Sequence, residues 1–280
     1  MHLEKTAAGV RERVRQWRAE GERVALAPTM GNLHRGHLEL VSAAHRVAGK
    51  AAVSVFVNPL QFDRDDDFNA YPRTLERDLR LLERHGADMV FVPEAAEMCP
   101  PESGALRRVG AGPLGDGLCG AHRPGHFDGV AVIVAALFNL FRPDAAVFGE
   151  KDYQQLCIVR DLAARLGHAT EIVGVPTVRE ADGLAMSSRN AYLTPREREQ
   201  APALYRVLRR IADAIRGGGD DFAALAAAAV RDLGDAGLRP EYVEMRRADT
   251  LQTASPGDRA IIVLAAAWLG RARLIDNIRV

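Results

Sequence analysis

Residues 23–40 read RVALAPTMGNLHRGHLEL, and this stretch decides the fold. The apolar run at residues 23–28 predicts a buried strand, because short continuous apolar segments are typical of the strands in parallel sheets. The run stops at a proline, and a turn that contains glycine follows it. An amphipathic pattern then covers residues 36–47 and predicts a helix. The stretch therefore predicts a strand, a loop and a helix in immediate succession.

The same arrangement repeats along the first two-thirds of the chain. Residues 74–85 carry Leu75, Leu79 and Leu82 on one helical face, and further helices are predicted at residues 130–141 and 152–166. Short apolar runs predict additional strands at residues 51–57, 88–92, 145–148 and 170–175. Strands separated by helices favour a parallel sheet with right-handed crossovers, in which ligands bind beyond the carboxyl ends of the strands. We therefore predict an α/β fold with a Rossmann-like parallel sheet domain.

The composition changes after Pro195. A helix rich in arginine and alanine is predicted to end near Arg216, three glycines follow at residues 217–219, and an alanine-rich helix covers residues 222–233. Strand-like pieces follow at residues 242–245, 260–264 and 273–275. We predict a smaller C-terminal α+β domain at residues 180–280, behind the Rossmann-like domain at residues 1–179.

Composition and charge argue against several classes of function. The 280 residues include 37 Lys and Arg and 37 Asp and Glu, so the chain has no net positive charge with which to bind an extended nucleic acid. This balance is still compatible with a local basic pocket for a small phosphate ligand. Cys99, Cys119 and Cys157 lack C-x-x-C spacing, which argues against a disulfide framework or a zinc site and suits a reducing cytosol. No apolar run is long enough to span a membrane, and the N-terminus has no signal-peptide core. We expect a cytoplasmic protein with no nucleic-acid or membrane partner.

The loop after the first long apolar strand carries His34 and His37. The N–H groups and positive dipole end of a helix N-terminus suit a phosphate group, and Gly31 and Gly36 let a ligand approach the backbone. Two imidazoles three residues apart can donate hydrogen bonds to charge that develops on a transferred phosphoryl group. A paired metal site and two surface histidines are the alternatives, but no Glu lies between the histidines and no third ligand is evident. The position after a strand favours a nucleotide site.

Three further polar segments each allow a functional and a structural interpretation. Residues 55–62 read VFVNPLQF, whose amides can hold a hydroxyl or a carboxylate or form a polar turn at the proline. Residues 148–155 read FGEKDYQQ, where Lys151 can contact phosphates and Asp152 can cap a helix; an exposed lysine beside a capping residue is the alternative. Residues 186–190 read MSSRN, which indicates either a mobile phosphate clamp or an ordinary serine-rich connector.

Taken together, these segments resemble the pantoate–β-alanine ligase family, the pantothenate synthetases of the HIGH-motif nucleotidyltransferase superfamily. Matching stretches occur in the expected order at residues 28–41, 53–62, 71–74 (YPRT), 123–127 (RPGHF), 147–155 and 173–193. Residues 274–278 (LIDNI) also resemble the end of the family's sequences. Several motifs in order are more specific than the H-x-G-H pattern alone.

The resemblance implies a two-step reaction. The carboxylate of pantoate attacks the α-phosphorus of ATP, which gives pantoyl adenylate and pyrophosphate. The amine of β-alanine then displaces AMP and forms the amide bond of pantothenate. A closed site would protect the adenylate from water, which gives a mobile clamp a purpose. The resemblance also implies that magnesium accompanies ATP and that the protein is a homodimer.

The resemblance assigns roles residue by residue. It implies catalytic roles for His37 as general acid, for His34 in stabilising phosphate charge, and for Lys151. It implies that Gln61 and Gln155 hold pantoate and that Gln61 also lies near β-alanine. Arg35 stands where the family often has an acidic residue, a departure that concerns the ATP affinity and not the reaction. No metal ligand is assigned, and the implied ATP-binding residues are Met30, Gly31, Asn32, Leu33, His34, Arg35, Gly36, His37, Gly149, Glu150, Lys151, Asp152, Val178 and the clamp residues Met186, Ser187, Ser188 and Arg189.

Other functions compete with this interpretation. A nucleotidyltransferase that acts on a phosphate ester would need a basic acceptor pocket, whereas Gln61 and Gln155 suit a carboxylate with hydroxyls better. A class I aminoacyl-tRNA synthetase would need an RNA-binding surface, which the neutral charge and modest length disfavour. A non-catalytic ATP sensor would bind ATP without turnover and would lack a catalytic side chain, and none is evidently missing.

Overall fold

The computed structural model describes residues 1–62, 65–98 and 109–280, and for residues 65–67 it describes the backbone alone. Cys99 therefore lies outside the described residues, while Cys119 and Cys157 are buried. The chain divides into two compact units. Unit 1 comprises Met1–Glu150 and Gln154–Pro176, and unit 2 comprises Lys151–Tyr153 and Thr177–Val280. Within the described part of the chain, no helix has the length and apolar character needed to span a membrane.

Unit 1 is built on a six-stranded sheet in which every strand pair is parallel. Its strands are β1 (His2–Glu4), β2 (Val24–Thr29), β3 (Lys50–Val55), β4 (Met89–Phe91), β5 (Ala145–Gly149) and β6 (Glu171–Val175), in the order β1-β4-β3-β2-β5-β6. The helices between the strands are α1 (Ala7–Ala19), α2 (Arg35–Val47), α3 (Asp65–Ala70), α4 (Leu75–Arg84), α5 (Ala95–Met98), α6 (Cys119–His122), α7 (His126–Phe141) and α8 (Tyr153–Arg165). The predicted Rossmann-like parallel sheet is confirmed.

Strand β2 occupies the position where the strand order reverses. It pairs with β3 on one side and with β5 on the other, so the crevice beyond its carboxyl end is the topological switch point at which ligands bind in sheets of this class. Residues 24–27 of β2 are almost completely buried, as their apolar run predicts. The switch point places the loop that carries His34 and His37 at the ligand-binding edge of the sheet.

Strand β1 was not predicted from the sequence. It is three residues long, lies at the sheet edge, and exposes His2 and Leu3, so it carries no apolar run. Its register with β4 is set by backbone pairing, such as that of Leu3 with Val90. Long-range pairing of this kind leaves no periodic signal in the sequence.

Unit 2 combines helices with a three-stranded antiparallel sheet, as predicted for the smaller domain. The helices are α9 (Pro195–Gln200), α10 (Ala203–Arg216) and α11 (Phe222–Asp235), and the strands β7 (Arg239–Arg247), β8 (Ile261–Leu269) and β9 (Ala272–Arg279) lie in the order β7-β8-β9. The strands run further than predicted. In β8 the additional residues include three alanines at residues 265–267, whose low strand propensity is overridden by pairing with β9.

The division between the units differs slightly from the predicted boundary after residue 179. Residues 177–179 belong to unit 2, where the Arg179 side chain is paired with Asp276 of β9. Residues 151–153 also belong to unit 2, because Asn277 donates to the Lys151 carbonyl and Tyr153 donates to the Ala248 carbonyl. These contacts join residues that are far apart in the sequence, so local composition could not reveal them.

Candidate active site

The nucleotide loop, defined as residues 30–34, follows β2 directly. Gly31 and Asn32 have φ angles of 81° and 49°, in the left-handed region that favours glycine and tolerates asparagine. A Cβ on Gly31 would lie 3.2 Å from both an Asp78 carboxylate oxygen and a Val55 methyl group. The loop is therefore closely confined on the side facing Asp78 and Val55.

Asp78 of α4 fixes this loop, and sequence reasoning missed it. Its side chain is buried and accepts the backbone N–H groups of Asn32 at 2.8 Å and Leu33 at 2.9 Å. The Thr74 hydroxyl donates to the same carboxylate at 3.0 Å. Two successive loop amides are thereby held by one side chain of another element. The sequence feature that could have identified Asp78 is an acidic residue on the apolar face of the predicted helix, four positions before Leu82.

His34 and His37 cap the N-terminus of α2 in a reciprocal arrangement. The Nδ1 atom of His34 accepts the Gly36 N–H at 3.2 Å, and Nδ1 of His37 accepts the His34 N–H at 3.3 Å. Because a ring nitrogen that accepts a hydrogen bond carries no proton, each neutral imidazole has its proton on Nε2. The two ring centroids lie 4.0 Å apart. Capping thus fixes the orientation and the tautomer of both rings.

The turn that carries Gln61 follows β3 and is stabilised by Asn58. The buried Asn58 amide donates to Gln61 Oε1 at 3.1 Å and to the Gly129 carbonyl at 3.0 Å, while its oxygen accepts the Leu60 N–H at 3.0 Å. With Oε1 so engaged, the Gln61 amide nitrogen lies 2.8 Å from Met30 Sδ of the nucleotide loop. Two predicted site residues, Met30 and Gln61, are therefore brought together.

Helix α7 holds the backbone of the same turn. A Cβ on Gly129 would lie 2.0 Å from the Leu60 carbonyl oxygen, so only glycine permits this close approach. The Gln61 carbonyl lies 2.6 Å from Nδ1 of His126 and accepts from the Arg123 guanidinium at 3.3 Å. Arg123 and His126 belong to the RPGHF stretch noted in the sequence, and their contact with Gln61 gives that stretch a structural role.

Gln154 and Gln155 are neighbours in α8 with different surroundings. Gln154 is buried and fully engaged: it accepts the Cys119 N–H at 3.0 Å and donates to the Leu114 and Gly117 carbonyls at 2.8 Å each. Gln155 is half-buried, and its side chain makes no hydrogen bond within the described residues. Of the two, Gln155 is the one suited to a ligand.

Also in unit 1, Gly149 ends β5 with open space where a Cβ would stand, and Glu150 follows it.

The remaining predicted residues belong to unit 2. Val178 accepts the Met186 N–H at 3.0 Å, which closes the base of the predicted clamp loop at residues 186–189. Ser187 Oγ accepts the Arg189 N–H at 3.3 Å and caps the short 3₁₀ turn Ser188–Tyr192. Lys151 and Ser187 line one cavity, and Lys151 Nζ lies 3.8 Å from the Asp152 carboxylate. The structure therefore brings the predicted lysine and clamp serine together.

The metal interpretation of the histidine pair has no further support. Among residues 1–62, 65–98 and 109–280, no three His, Cys, Asp or Glu side chains converge as a protein-built metal site requires. The capping hydrogen bonds also engage Nδ1 of both rings.

Comparison with known proteins decides the family. The family model described as Pantoate-beta-alanine ligase matches residues 2–279. The pantothenate synthetase of Thioalkalivibrio sulfidiphilus is 53% identical over 275 residues, which cover 98% of this chain and 96% of that protein.

The chain belongs to the pantoate–β-alanine ligase family.

Solved structures of family members have the same fold. The crystal structure of pantothenate synthetase from Thermus thermophilus is 45% identical, with a TM-score of 0.89 and coverage of 99% of both chains. The pantoate–β-alanine ligase of Francisella tularensis, solved with β-γ ATP and β-alanine, is 28% identical, with a TM-score of 0.80 and coverage of 99% of this chain and 97% of that one. The resemblance stated from the motifs is thus confirmed, and a phosphate-ester nucleotidyltransferase is not favoured.

We predict that Asp78→Asn lowers the free energy of unfolding by about 3 kcal/mol. The carboxylate accepts hydrogen bonds from two N–H groups of the nucleotide loop, whereas the NH2 group of an asparagine would face one of them and leave it without an acceptor. Urea unfolding followed by circular dichroism measures the change. Glu76→Gln is the control: it removes the same charge from the same helix at a side chain that is 93% exposed. Equal stability of the two variants would show that the loop does not depend on Asp78.

Proposed function

We propose that this chain condenses pantoate with β-alanine to form pantothenate, using ATP and passing through pantoyl adenylate. A pantoate carboxylate oxygen attacks the α-phosphorus, and pyrophosphate leaves. The β-alanine nitrogen then attacks the acyl carbon, the bond to AMP breaks, and the amine loses a proton. Membership of the ligase family across nearly the whole chain supports this reaction.

The arrangement of His34 and His37 is the observation that carries the proposal. Both rings direct their donor capacity through Nε2, because Nδ1 of each accepts a backbone N–H. Fixed donors at a helix N-terminus stabilise negative charge that develops on a phosphoryl group, and they need no reorganisation as the reaction proceeds. In this proposal His37 is the general acid, His34 stabilises phosphate charge, and Lys151 supplies a point charge.

Gln61 and Gln155 hold pantoate in this proposal, and Gln61 also lies near β-alanine. Gln61 is fixed at its side chain by Asn58 and at its carbonyl by α7, so its amide is presented in one orientation. Amide groups suit a carboxylate with hydroxyls, because they donate and accept without adding charge. The residues assigned to ATP are those of the nucleotide loop through His37, then Gly149–Asp152, Val178 and Met186–Arg189.

Magnesium enters the proposal as part of the ATP substrate. Magnesium in nucleotide sites keeps several waters and is held mainly by phosphates with one or two carboxylates. In this proposal the cation arrives with ATP, and no protein ligand is assigned to it. A homodimer in the cytoplasm completes the proposal and rests on the family resemblance.

The direct test of the function is exchange of labelled pyrophosphate into ATP with β-alanine left out. We expect exchange that depends on pantoate, because adenylate formation is reversible before β-alanine arrives. A folded protein supplied with magnesium and pantoate that catalyses no exchange would refute the proposed reaction. Exchange without pantoate would show that the acid substrate is wrongly assigned.

His37→Ala is expected to slow pantoate-dependent exchange about a hundredfold or more, the scale seen when one transition-state donor is deleted. The measurement is the exchange rate at saturating ATP and pantoate, with unfolding followed in parallel because His37 also caps α2. His85→Ala removes an exposed imidazole from the same unit and serves as the control. A rate equal to that of the control would remove His37 from the reaction.

Gln155→Ala is expected to raise the pantoate KM while the ATP KM stays unchanged, because this half-buried amide is assigned to pantoate alone. Initial rates measured against each substrate separate the two effects. Gln252→Ala removes an exposed glutamine side chain and is the control, for which both KM values should stay unchanged. If the ATP KM rises instead, Gln155 contacts the nucleotide and the assignment is wrong.

A further inference from the structure

Asp276 and Asn277 of β9 are buried polar residues to which the proposed reaction gives no role. Asp276 is 4% exposed and Asn277 is 8% exposed, although they follow each other on a strand. A buried carboxylate is costly unless it is paired, and a buried amide requires hydrogen-bond partners. Their partners therefore show what these two residues do.

Asp276 forms a two-pronged ion pair with Arg179. Arg179 Nη1 lies 2.6 Å from Oδ2 and Nη2 lies 2.9 Å from Oδ1, while the Asn277 N–H donates to Oδ1 at 2.8 Å. Burial raises the pKa of the Asp276 carboxyl, and the hydrogen bonds from Arg179 oppose that rise. The parallel fork fixes the direction of the guanidinium as well as its position.

Arg179 stands at the base of the segment that leads into the clamp loop. Residues 178–186, here called the clamp hairpin, are closed by an isolated bridge between Arg179 and Ala185 and by hydrogen bonds from Met186 to Val178 and from Glu180 to Leu184. Within the hairpin, Arg179 Nη1 also donates to the Gly183 carbonyl at 3.1 Å. One guanidinium thus joins β9 to the turn of the hairpin.

Tyr205 of α10 supports the same arrangement. The Arg179 guanidinium carbon lies 3.9 Å from the centroid of the Tyr205 ring, within the range of a cation–π contact. A Cβ on Gly183 would lie 2.3 Å from Tyr205 Cδ1, so the hairpin turn packs directly on this ring. The hairpin is held on one side by the ring and on the other by Asp276.

Asn277 connects the strand to Lys151. Its side-chain amide donates to the Lys151 carbonyl at 3.0 Å, and Arg179 Nη2 donates to the Asn277 carbonyl at 3.3 Å. Lys151, Ser187 and Asp276 line the same cavity. Two consecutive residues of β9 therefore contact the base of the clamp hairpin and the backbone of the lysine.

We propose that Arg179, Asp276 and Asn277 are positioning residues that set the phosphate clamp and Lys151 in register for the β- and γ-phosphates of ATP. This inference rests on the proposed function, which assigns Lys151 and residues 186–189 to ATP. None of the three needs to touch substrate. Their effect is to hold two phosphate-binding groups, which lie more than thirty residues apart in the chain, at one fixed spacing.

The test compares the binding of ATP with that of AMP, which lacks the β- and γ-phosphates. Asp276→Asn keeps the shape of the side chain, and Arg179→Lys keeps the charge but loses the fork. For both variants we expect the Kd of magnesium–ATP, measured by calorimetry, to rise about tenfold or more. A small misplacement of the groups that bind the phosphates is enough to cause a loss of this size. The Kd of AMP should stay unchanged.

Asp232→Asn provides the matched control, because Asp232 pairs with Arg210 in unit 2 at a side chain that is 39% exposed. Its ATP affinity should stay within about twofold of the unchanged chain, since an exposed pair contributes little. Equal weakening of ATP and AMP in Asp276→Asn or Arg179→Lys would overturn the proposal, as would unaltered binding of both. Failure of both variants to fold would also overturn it, because the pair would then act through stability alone.

The binding test does not depend on turnover. Loss of pantoate-dependent exchange in the unchanged chain would refute the proposed reaction but would leave the ratio of ATP to AMP affinity measurable. If the reaction proceeds, Asp276→Asn should raise the ATP KM and leave the β-alanine KM unchanged. A fall in kcat with both KM values unchanged would indicate a smaller folded fraction and contradict a positioning role.

Discussion

The parallel pairing of β2 with both β3 and β5 is the constraint on which the site in unit 1 depends. Backbone register places Ala25 opposite Ala51 on one side and opposite Ala145 on the other, and all three belong to the same core cluster as Ala43 and Ala44 of α2. Because all three strands run in the same direction, their carboxyl ends meet at one edge. The nucleotide loop follows β2, the Gln61 turn follows β3, and Gly149 is the last residue of β5.

Once the loops lie at that edge, their backbone N–H groups require partners, and side chains from outside each loop supply them. Asp78 accepts two amides of the nucleotide loop, and Asn58 accepts one amide of the Gln61 turn. Partnered loops lose little conformational entropy when substrate binds, because they are already ordered. The same hydrogen bonds that stabilise the fold therefore prepare the site.

The sequence predicted the elements that have local signals. Strands β2 to β6, the helices α2, α4, α7 and α8, and the polar segments after the strands follow from apolar periodicity and from residue types at turns. The short helices α3, α5 and α6 were not predicted. The supporting residues could not be found in this way. Asp78 acts on residues 45 and 46 positions away, and Arg179 meets Asp276 across 97 positions. Such contacts are set by the fold, and no window of sequence contains both partners.

The contrast between Gln154 and Gln155 shows why motif position alone assigns roles incompletely. Both stand in the same matching stretch, and both have the same chemistry. One α-helical step of about 100° separates their side chains. Gln154 is thereby turned toward the segment at residues 114–119, and Gln155 is left without a hydrogen-bond partner in the described part of the chain. A satisfied amide stabilises structure, while an unsatisfied half-buried amide gains more from a ligand. Hydrogen-bond partners therefore distinguish these two neighbouring glutamines where residue type cannot. The protein partners of Asp276 and Asn277 are likewise consistent with the positioning role proposed for them.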